Sequence, residues 1–131
     1  MTQEEKQLLL ADFCARLPYH CRVFYEYVDD LDNKTYGYSL TLNTWCIDEF
    51  NTDKAVVKPY LRPMSSMTEE EIKELLNIDT KRGIFSSRHL TWHLDGEVVD
   101  YLNSHHFDYR GLIEKGLALQ APEGMYNIEE K

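Results

Sequence analysis

The sequence predicts an α+β fold: an N-terminal helix, a three- to four-stranded antiparallel meander, and then two or three short C-terminal helices. Three observations predict it: a helix-capping pattern at the start of the chain, alternating strand patterns within residues 21–60, and a second capping pattern at Thr68. The length of 131 residues is typical of one domain, so we expect a single domain over residues 1–131. Its expected parts are residues 1–60 for the helix and the meander, 61–67 for a crossing, 68–120 for mostly helical structure and 121–131 for an irregular tail.

The first helix is predicted over Gln3–Arg16. Thr2 and Glu5 form a capping box, and Pro18 ends the element because the residue before a proline disfavours helical geometry. The apolar residues follow the spacing of one helical stripe, which we expect to be buried. They are Leu10, Phe13, Cys14 and Leu17.

The meander is predicted from four segments rich in β-branched and aromatic residues. They are Cys21–Val28, Thr35–Asn43, Trp45–Phe50 and Lys54–Tyr60. The turn formers of Asp29–Lys34 indicate that the first two strands form a hairpin. In the second strand Tyr36, Tyr38, Leu40 and Leu42 alternate with polar residues and therefore share one face.

A second helix is predicted over Glu69–Asn77, because Thr68 and Glu71 repeat the capping-box pattern. Between the helices an extra strand is expected near Ile84-Phe85 or Leu90–His93.

Two more helices are predicted towards the C-terminus. Asp95 is placed to cap a helix over Gly96–Ser104, and Asp108 is placed to cap another over Tyr109–Lys115. Gly116 then stands where a helix-terminating glycine is preferred.

Composition excludes some classes of function. The net charge is −9, which repels nucleic-acid phosphates, so we expect no nucleic-acid binding. No apolar run approaches the ~20 residues of a membrane helix, and we expect no membrane partner. The three cysteines are odd in number and lack a CxxC pair, which favours a reduced cytoplasmic location. Neither GxGxxG nor GxxxxGK[ST] occurs, and we expect no cofactor.

Two histidine clusters are candidate chemical sites. His89 and His93 stand four residues apart, a spacing that suits zinc on a helix; the alternative is two polar residues flanking a buried Trp92. The second cluster contains His105, His106 and Asp108, where a carboxylate beside a histidine suits general-base catalysis. Because no nucleophile is visible nearby and Asp108 already serves as a cap, we predict no catalytic residue and no metal site.

Aromatic and basic residues offer candidate contact surfaces. An aromatic hairpin can present one face to a partner, because tyrosine and arginine are enriched in interfaces. Its tyrosines are Tyr25, Tyr27, Tyr36 and Tyr38. A second candidate interaction patch consists of Arg62, His105, His106, Tyr109 and Arg110, with ordinary packing and capping as its alternative.

Two blocks, VKPYLRPMSSMTEEE and DYLNSHHFDYRGLIEKGLALQAPEGMY, resemble a family of small uncharacterised proteins of gut bacteria and their prophages. The blocks cover about a third of the chain. The resemblance implies a cytoplasmic protein associated with a phage or a mobile element. It implies no activity, so no residue role comes from it.

The predicted function is a small non-enzymatic interaction or accessory protein that binds another protein. Two alternatives stay open. The net charge of −9 suits an acidic nucleic-acid mimic or anti-defence inhibitor. The histidine clusters suit a small metal-dependent or histidine-dependent hydrolase.

Overall fold

The structure is a computed structural model and describes residues 1–81 and 96–126. Helix α1 spans Gln3–Arg16, as predicted, and begins at the Thr2–Glu5 capping box. The predicted buried stripe is wrong by one position: the buried residues are Leu9, Asp12, Phe13 and Arg16, and Cys14 is exposed. The apolar pattern missed this face because two of its four positions are charged.

A four-stranded mixed sheet lies beside α1. Its strands are β1 (Arg22–Val28), β2 (Thr35–Thr41), β3 (Val56–Leu61) and β4 (Leu119–Gln120), in the order β2-β1-β3-β4. The predicted hairpin is confirmed, with β1 and β2 antiparallel from the Arg22–Thr41 pair to the Val28–Thr35 pair. Strand β1 is also antiparallel to β3, whereas β4 is parallel to β3, so the sheet is mostly but not wholly antiparallel.

The predicted strand Trp45–Phe50 is wrong, because this segment is helix α2, Thr44–Asn51. Asn43 caps the helix by accepting a hydrogen bond from the Cys46 backbone N–H at 2.9 Å. Cys46 and Phe50 are buried four residues apart, which is a helical spacing. A run this short and this apolar fits the periodicity of a strand as well as that of a helix, and the Asn43 N-cap favours the helix.

Helix α3 spans Glu69–Lys81, longer than predicted, and α4 spans Gly96–Ser104, as predicted. The helix predicted over Tyr109–Lys115 is wrong: this segment contains a series of turns. The Asp108 carboxylate does accept hydrogen bonds from the Leu112 and Ile113 backbones, but the helix is not continued. Gly116 has a φ of 75°, the left-handed geometry expected there. The strand expected near residues 84–85 or 90–93 and the cap at Asp95 lie outside the described residues.

Two hydrophobic clusters hold these elements together. The larger one packs α1 and α2 on one face of the sheet, and its members include Leu9, Phe13, Val23, Tyr25, Cys46, Phe50, Val57 and Leu61. The smaller one joins α3 to α4 and to the chain after α4, through Leu75, Val98, Tyr101, Leu102 and Phe107. No helix among the described residues is long and apolar enough to cross a membrane.

Candidate functional site

The structure brings the predicted interaction patch together at the junction of the two hydrophobic clusters. The Arg62 backbone N–H donates to the His106 carbonyl at 2.7 Å, and the Asp108 N–H donates to the Arg62 carbonyl at 2.8 Å. Residues 105–110 therefore lie beside the end of β3. Their side chains, however, are mostly occupied by internal contacts.

Arg62 is a buried structural residue with 6% of its surface exposed. Its guanidinium donates to both Glu71 carboxylate oxygens at 2.7 Å and lies 4.1 Å from the centre of the Phe107 ring. Burial opposes ionisation of Glu71, but hydrogen bonds from Arg62 and from the Thr68 backbone outweigh it and lower the pKa of Glu71 to about 2. The ion pair ties β3 to the start of α3, so Arg62 is not available to a partner.

A second buried charge cluster accounts for Tyr109 and Arg110. The Asp12 carboxylate accepts from Arg16 at 2.8 Å and from Arg110 at 3.0 Å, and Asp12 and Arg16 are fully buried. Arg110 also donates to the Tyr109 hydroxyl, which in turn donates to Asn103. These contacts hold the chain after α4 against α1.

The sequence interpretation missed Asp12 and Arg16. A signal for them exists, because residues 9, 12, 13 and 16 follow the helical i, i+3, i+4, i+7 spacing. This buried face can be recognised in the sequence if the helical stripe is allowed to contain an aspartate and an arginine that neutralise each other.

The two histidines at this junction make different contacts. His105 Nδ1 lies 3.0 Å from the Tyr101 carbonyl, and its ring stacks on Tyr101 with centroids 4.1 Å apart. His106 has a φ of 66° and stacks on Tyr126 with centroids 3.8 Å apart. Burial, and secondarily the nearby charge of Arg16, lower the pKa of His106 to about 4.

His105, His106 and Asp108 do not form the general-base cluster that their proximity in the sequence suggests. In the described part of the chain, the Asp108 carboxylate bonds to backbone N–H groups of Leu112 and Ile113, and no hydrogen bond joins it to His105 or His106. His89 and His93 lie outside the described residues. Within residues 1–81 and 96–126, no group of three or more His, Cys, Asp and Glu side chains is arranged to hold a metal ion.

A different surface of the molecule exposes large side chains. Five rings from the β1–β2 hairpin and the start of α2 form a continuous aromatic surface, which we define as Tyr25, Tyr27, Tyr36, Tyr38 and Trp45. Tyr25 is buried at its centre, with ring centroids 4.8 Å from Trp45, 5.4 Å from Tyr38 and 5.6 Å from Tyr27. Tyr38 and Trp45, which contact Tyr25, and Tyr36, which contacts Tyr27, keep 45%, 48% and 40% of their surface exposed.

The register of the hairpin explains this arrangement. Tyr25 pairs with Tyr38 and Tyr27 pairs with Tyr36, so the four tyrosines lie on one face of the sheet. This is the face that α1 and α2 cover nearer to Val23. The hairpin extends beyond the helices, and its outer tyrosines are left uncovered by the described residues.

Acidic groups border the aromatic surface. The Tyr25 hydroxyl donates to Glu49 at 3.0 Å, and the Tyr36 hydroxyl donates to Asp32 in the hairpin turn. Burial, and then the hydrogen bond to Glu49, raise the pKa of Tyr25 to about 12. The Tyr25 hydroxyl therefore remains protonated at neutral pH beside the Glu49 carboxylate.

An open groove of about 720 Å³ lies next to the aromatic surface and shares Tyr27 with it. Its walls are the first turn of α1, the hairpin end near Val28 and the chain before β3. Lys6, a charged group on the groove wall, already donates to the Asn51 carbonyl and to Asp53. The other charged side chains on its lining are Glu26, Asp30, Asp53 and Lys54.

The sequence interpretation named the four tyrosines but placed Trp45 in a strand. The missed signal was Asn43, a preferred N-cap whose helix turns Trp45 towards Tyr25.

Comparisons of the chain with protein families, with curated proteins and with solved structures find no match. The function is therefore inferred from the geometry.

Proposed function

We propose that this protein is a small non-enzymatic interaction protein that binds another protein through the aromatic surface. The observation that carries the proposal is one connected set of rings with three exposed members: Tyr38 and Trp45 contact the buried Tyr25, and Tyr36 joins them through Tyr27. Single exposed apolar residues are ordinary on soluble proteins, but contiguous aromatic patches mark contact sites. Tyrosine and tryptophan are also enriched among binding hot spots.

The aromatic surface is pre-organised for binding. Each exposed ring contacts another ring, and Tyr36 is further held by its hydrogen bond to Asp32. Rings already held in place lose little rotamer freedom when a partner covers them, and each immobilised flexible side chain would otherwise cost about 0.5–1.5 kcal/mol. The surface is thus suited to recognition.

The distribution of carboxylates supports this proposal over an acidic nucleic-acid mimic. A mimic needs acids in exposed rows that match phosphate spacing. Here the carboxylates of Glu5, Glu71 and Asp108 accept hydrogen bonds from backbone N–H groups, and Asp12 is buried between two arginines. These four of the 23 acidic residues are therefore committed to the fold.

The cellular setting belongs to the same proposal. Cys14, Cys21 and Cys46 are free thiols, which supports a reducing, cytoplasmic environment. An origin in a phage or mobile element rests on the sequence resemblance alone.

The proposal is tested by affinity purification of the tagged protein from its own host. Partners of the unaltered protein are compared with those of a Tyr36→Ser, Tyr38→Ser double variant and, separately, of Trp45→Ser. An Ile72→Ser variant is the matched control, because Ile72 is an exposed apolar residue on α3, at 38% exposure. Circular dichroism verifies that each variant is folded.

We expect one stoichiometric protein partner that the control retains and that both aromatic variants lose. If substitutions on two separate elements, strand β2 and helix α2, each abolish binding of the partner, the contact lies on the aromatic surface. A partner that all variants retain, or recovery of a small metabolite alone, contradicts the proposal.

A further inference from the structure

Strand β2 is the terminal strand of the sheet, and one of its edges is unpaired among the described residues. Two hydrogen bonds establish which backbone groups face that edge: Leu42 N–H donates to the Cys21 carbonyl, and Asp29 N–H donates to the Lys34 carbonyl. Even-numbered residues of β2 therefore point their backbone groups at β1. The alternation of an antiparallel ladder then turns the N–H and C=O groups of Thr35, Gly37, Ser39 and Thr41 outwards.

This edge lacks the features that usually prevent a strand from pairing with another chain. Protected edges carry proline, charged side chains or a bulge. The seven residues of β2, TYGYSLT, contain neither proline nor charge, and their register with β1 is unbroken from Thr35 to Thr41. The outer edge of β2 is therefore competent to accept a further strand.

A segment that pairs with the outer edge of β2 would also contact the aromatic surface. A strand added antiparallel to β2 would bond to Gly37 and Ser39, so Tyr36 and Tyr38 would stand in non-hydrogen-bonded pairs with it. In such pairs the side chains of the two strands lie closest together. Alternate residues of the added strand would thus lie on the rings of Tyr36 and Tyr38.

The acidic groups near the aromatic surface favour basic residues at the positions of the added strand that lie over Tyr36 and Tyr38. The turn beside Tyr36 carries Asp29, Asp30 and Asp32 against one cation, Lys34. On α2, Asp48 and Glu49 follow Trp45 at positions i+3 and i+4, on its side of the helix. Lysine and arginine are attracted to such a negative border, and their cations also bind the faces of tyrosine and tryptophan rings.

We propose that the outer edge of β2 takes an extended segment of the partner protein as a fifth strand, with arginine or lysine at alternate positions over Tyr36 and Tyr38. This inference rests on the proposed function and names the mode and the chemistry of the partner. A second copy of the chain is a poorer occupant, because two molecules of net charge −9 repel each other.

The test begins with a random library of displayed peptides of about a dozen residues, a length that covers a strand and its flanks. Peptides are selected on the folded protein and then measured individually. We expect enrichment of arginine or lysine at every second position, with binding that weakens as salt is raised. Enrichment of acidic peptides, or of apolar residues at helical spacing, overturns the proposal.

The contribution of the β2 backbone to peptide binding is measured with a matched pair of variants at Ser39. Ser39→Pro removes one outward-facing N–H without removing a hydrogen bond to β1, and proline is tolerated on edge strands. Ser39→Ala keeps that N–H, and both variants lose the same 3.2 Å contact between the Ser39 and Tyr60 hydroxyls. We expect Ser39→Pro to weaken peptide binding by about tenfold or more and Ser39→Ala to change it by less than about threefold.

Amide hydrogen exchange gives a second measurement that needs no variant. On binding the selected peptide, the amides of Gly37, Ser39 and Thr41 should gain protection, whereas those of Tyr36 and Tyr38 should change little because β1 already holds them. The absence of this alternation overturns strand addition even if Ser39→Pro does not fold.

The outcomes separate this inference from the proposed function. If the Ser39 variants bind equally and the Tyr36→Ser, Tyr38→Ser variant does not bind, the aromatic surface is a contact site but strand addition is wrong. If neither change affects binding, both proposals are wrong. If light scattering shows a dimer that Ser39→Pro converts to a monomer, a second copy is the occupant and the proposed partner is wrong.

Discussion

The buried Arg62–Glu71 ion pair makes a quantitative prediction about pH. Glu71→Gln keeps the size of the side chain and its ability to accept the Thr68 N–H, but it removes the negative charge. Arg62, which is 6% exposed, then keeps a buried charge with no carboxylate beside it. Removing one member of a buried pair costs about 3–5 kcal/mol.

The lowered pKa of Glu71 gives a second, independent value for the stabilisation of the fold by this ion pair. A fall from 4.5 in an unperturbed glutamate to about 2 in the fold corresponds to about 3 kcal/mol, because a tenfold change in proton affinity equals about 1.4 kcal/mol. Because the folded-state pKa is lowered, this stability is fully present above about pH 5 and is lost as the pH falls towards 2. About 2 kcal/mol of it should be gone by pH 3.

The assay is urea unfolding of the unaltered protein and of Glu71→Gln at a series of pH values between about 7 and 2.5, the window in which Glu71 takes up its proton. We expect a difference of about 3 kcal/mol in the free energy of unfolding at pH 7, shrinking to about 1 kcal/mol near pH 3. His106, whose pKa is lowered to about 4, also titrates in this range, but it does so in both proteins and cancels in the difference.

Glu70→Gln is the matched control, because Glu70 is an exposed carboxylate in the same first turn of α3. It should change stability by less than about 0.5 kcal/mol at every pH. If the curves of Glu71→Gln and the unaltered protein run parallel from pH 7 to pH 3, the stabilising role assigned to the ion pair is wrong.

The remaining predictions concern the hairpin, α1 and the thiols. Gly37→Ala should cost about 1–3 kcal/mol in urea unfolding, because the new Cβ would clash with the ring of Phe24; in a Phe24→Ala background it should be neutral or stabilising. Asp12→Asn should lower the free energy of unfolding by about 3–5 kcal/mol, because it leaves the buried Arg16 without a carboxylate. Cys14 should react with a thiol reagent in the native protein while the two buried cysteines, whose pKa values burial raises, do not; mass spectrometry of the labelled protein measures this.

Each of these predictions has a control or a contradicting result. Ser39→Ala, two positions further along β2, removes only the hydroxyl contact with Tyr60 and should cost little. Asp100→Asn removes the same charge as Asp12→Asn from an exposed position on α4 and should leave stability nearly unchanged. A Gly37→Ala cost that persists without the Phe24 ring, or uniform labelling of all three cysteines, would contradict the contacts described above.

Local signals in the sequence predicted much of the fold. Helix α1 was predicted to the residue because Thr2, Glu5 and Pro18 mark its ends through contacts within a few residues. The hairpin and the Thr68 cap of α3 were predicted for the same reason. The strand predicted at Trp45–Phe50 failed because its composition suits either structure and the Asn43 cap was not weighed.

The candidate site was predicted less completely. The four hairpin tyrosines were named from their alternation, but alternation does not tell which of them the helices cover. The patch containing Arg62, Tyr109 and Arg110 was found as a cluster in space, yet its guanidinium groups face Glu71 and Asp12 within the fold.

The sequence by itself determined where α1, α3 and α4 begin and where the hairpin turns, because caps, prolines and strand alternation act between residues that are neighbours along the chain. Only the tertiary structure decided which charges are buried in pairs, that β4 joins the sheet parallel to β3, and that Trp45 completes an exposed aromatic surface. These features depend on contacts between segments distant in sequence, such as Asp12 with Arg110 and Arg16 with Phe107, and local patterns carry no information about such contacts.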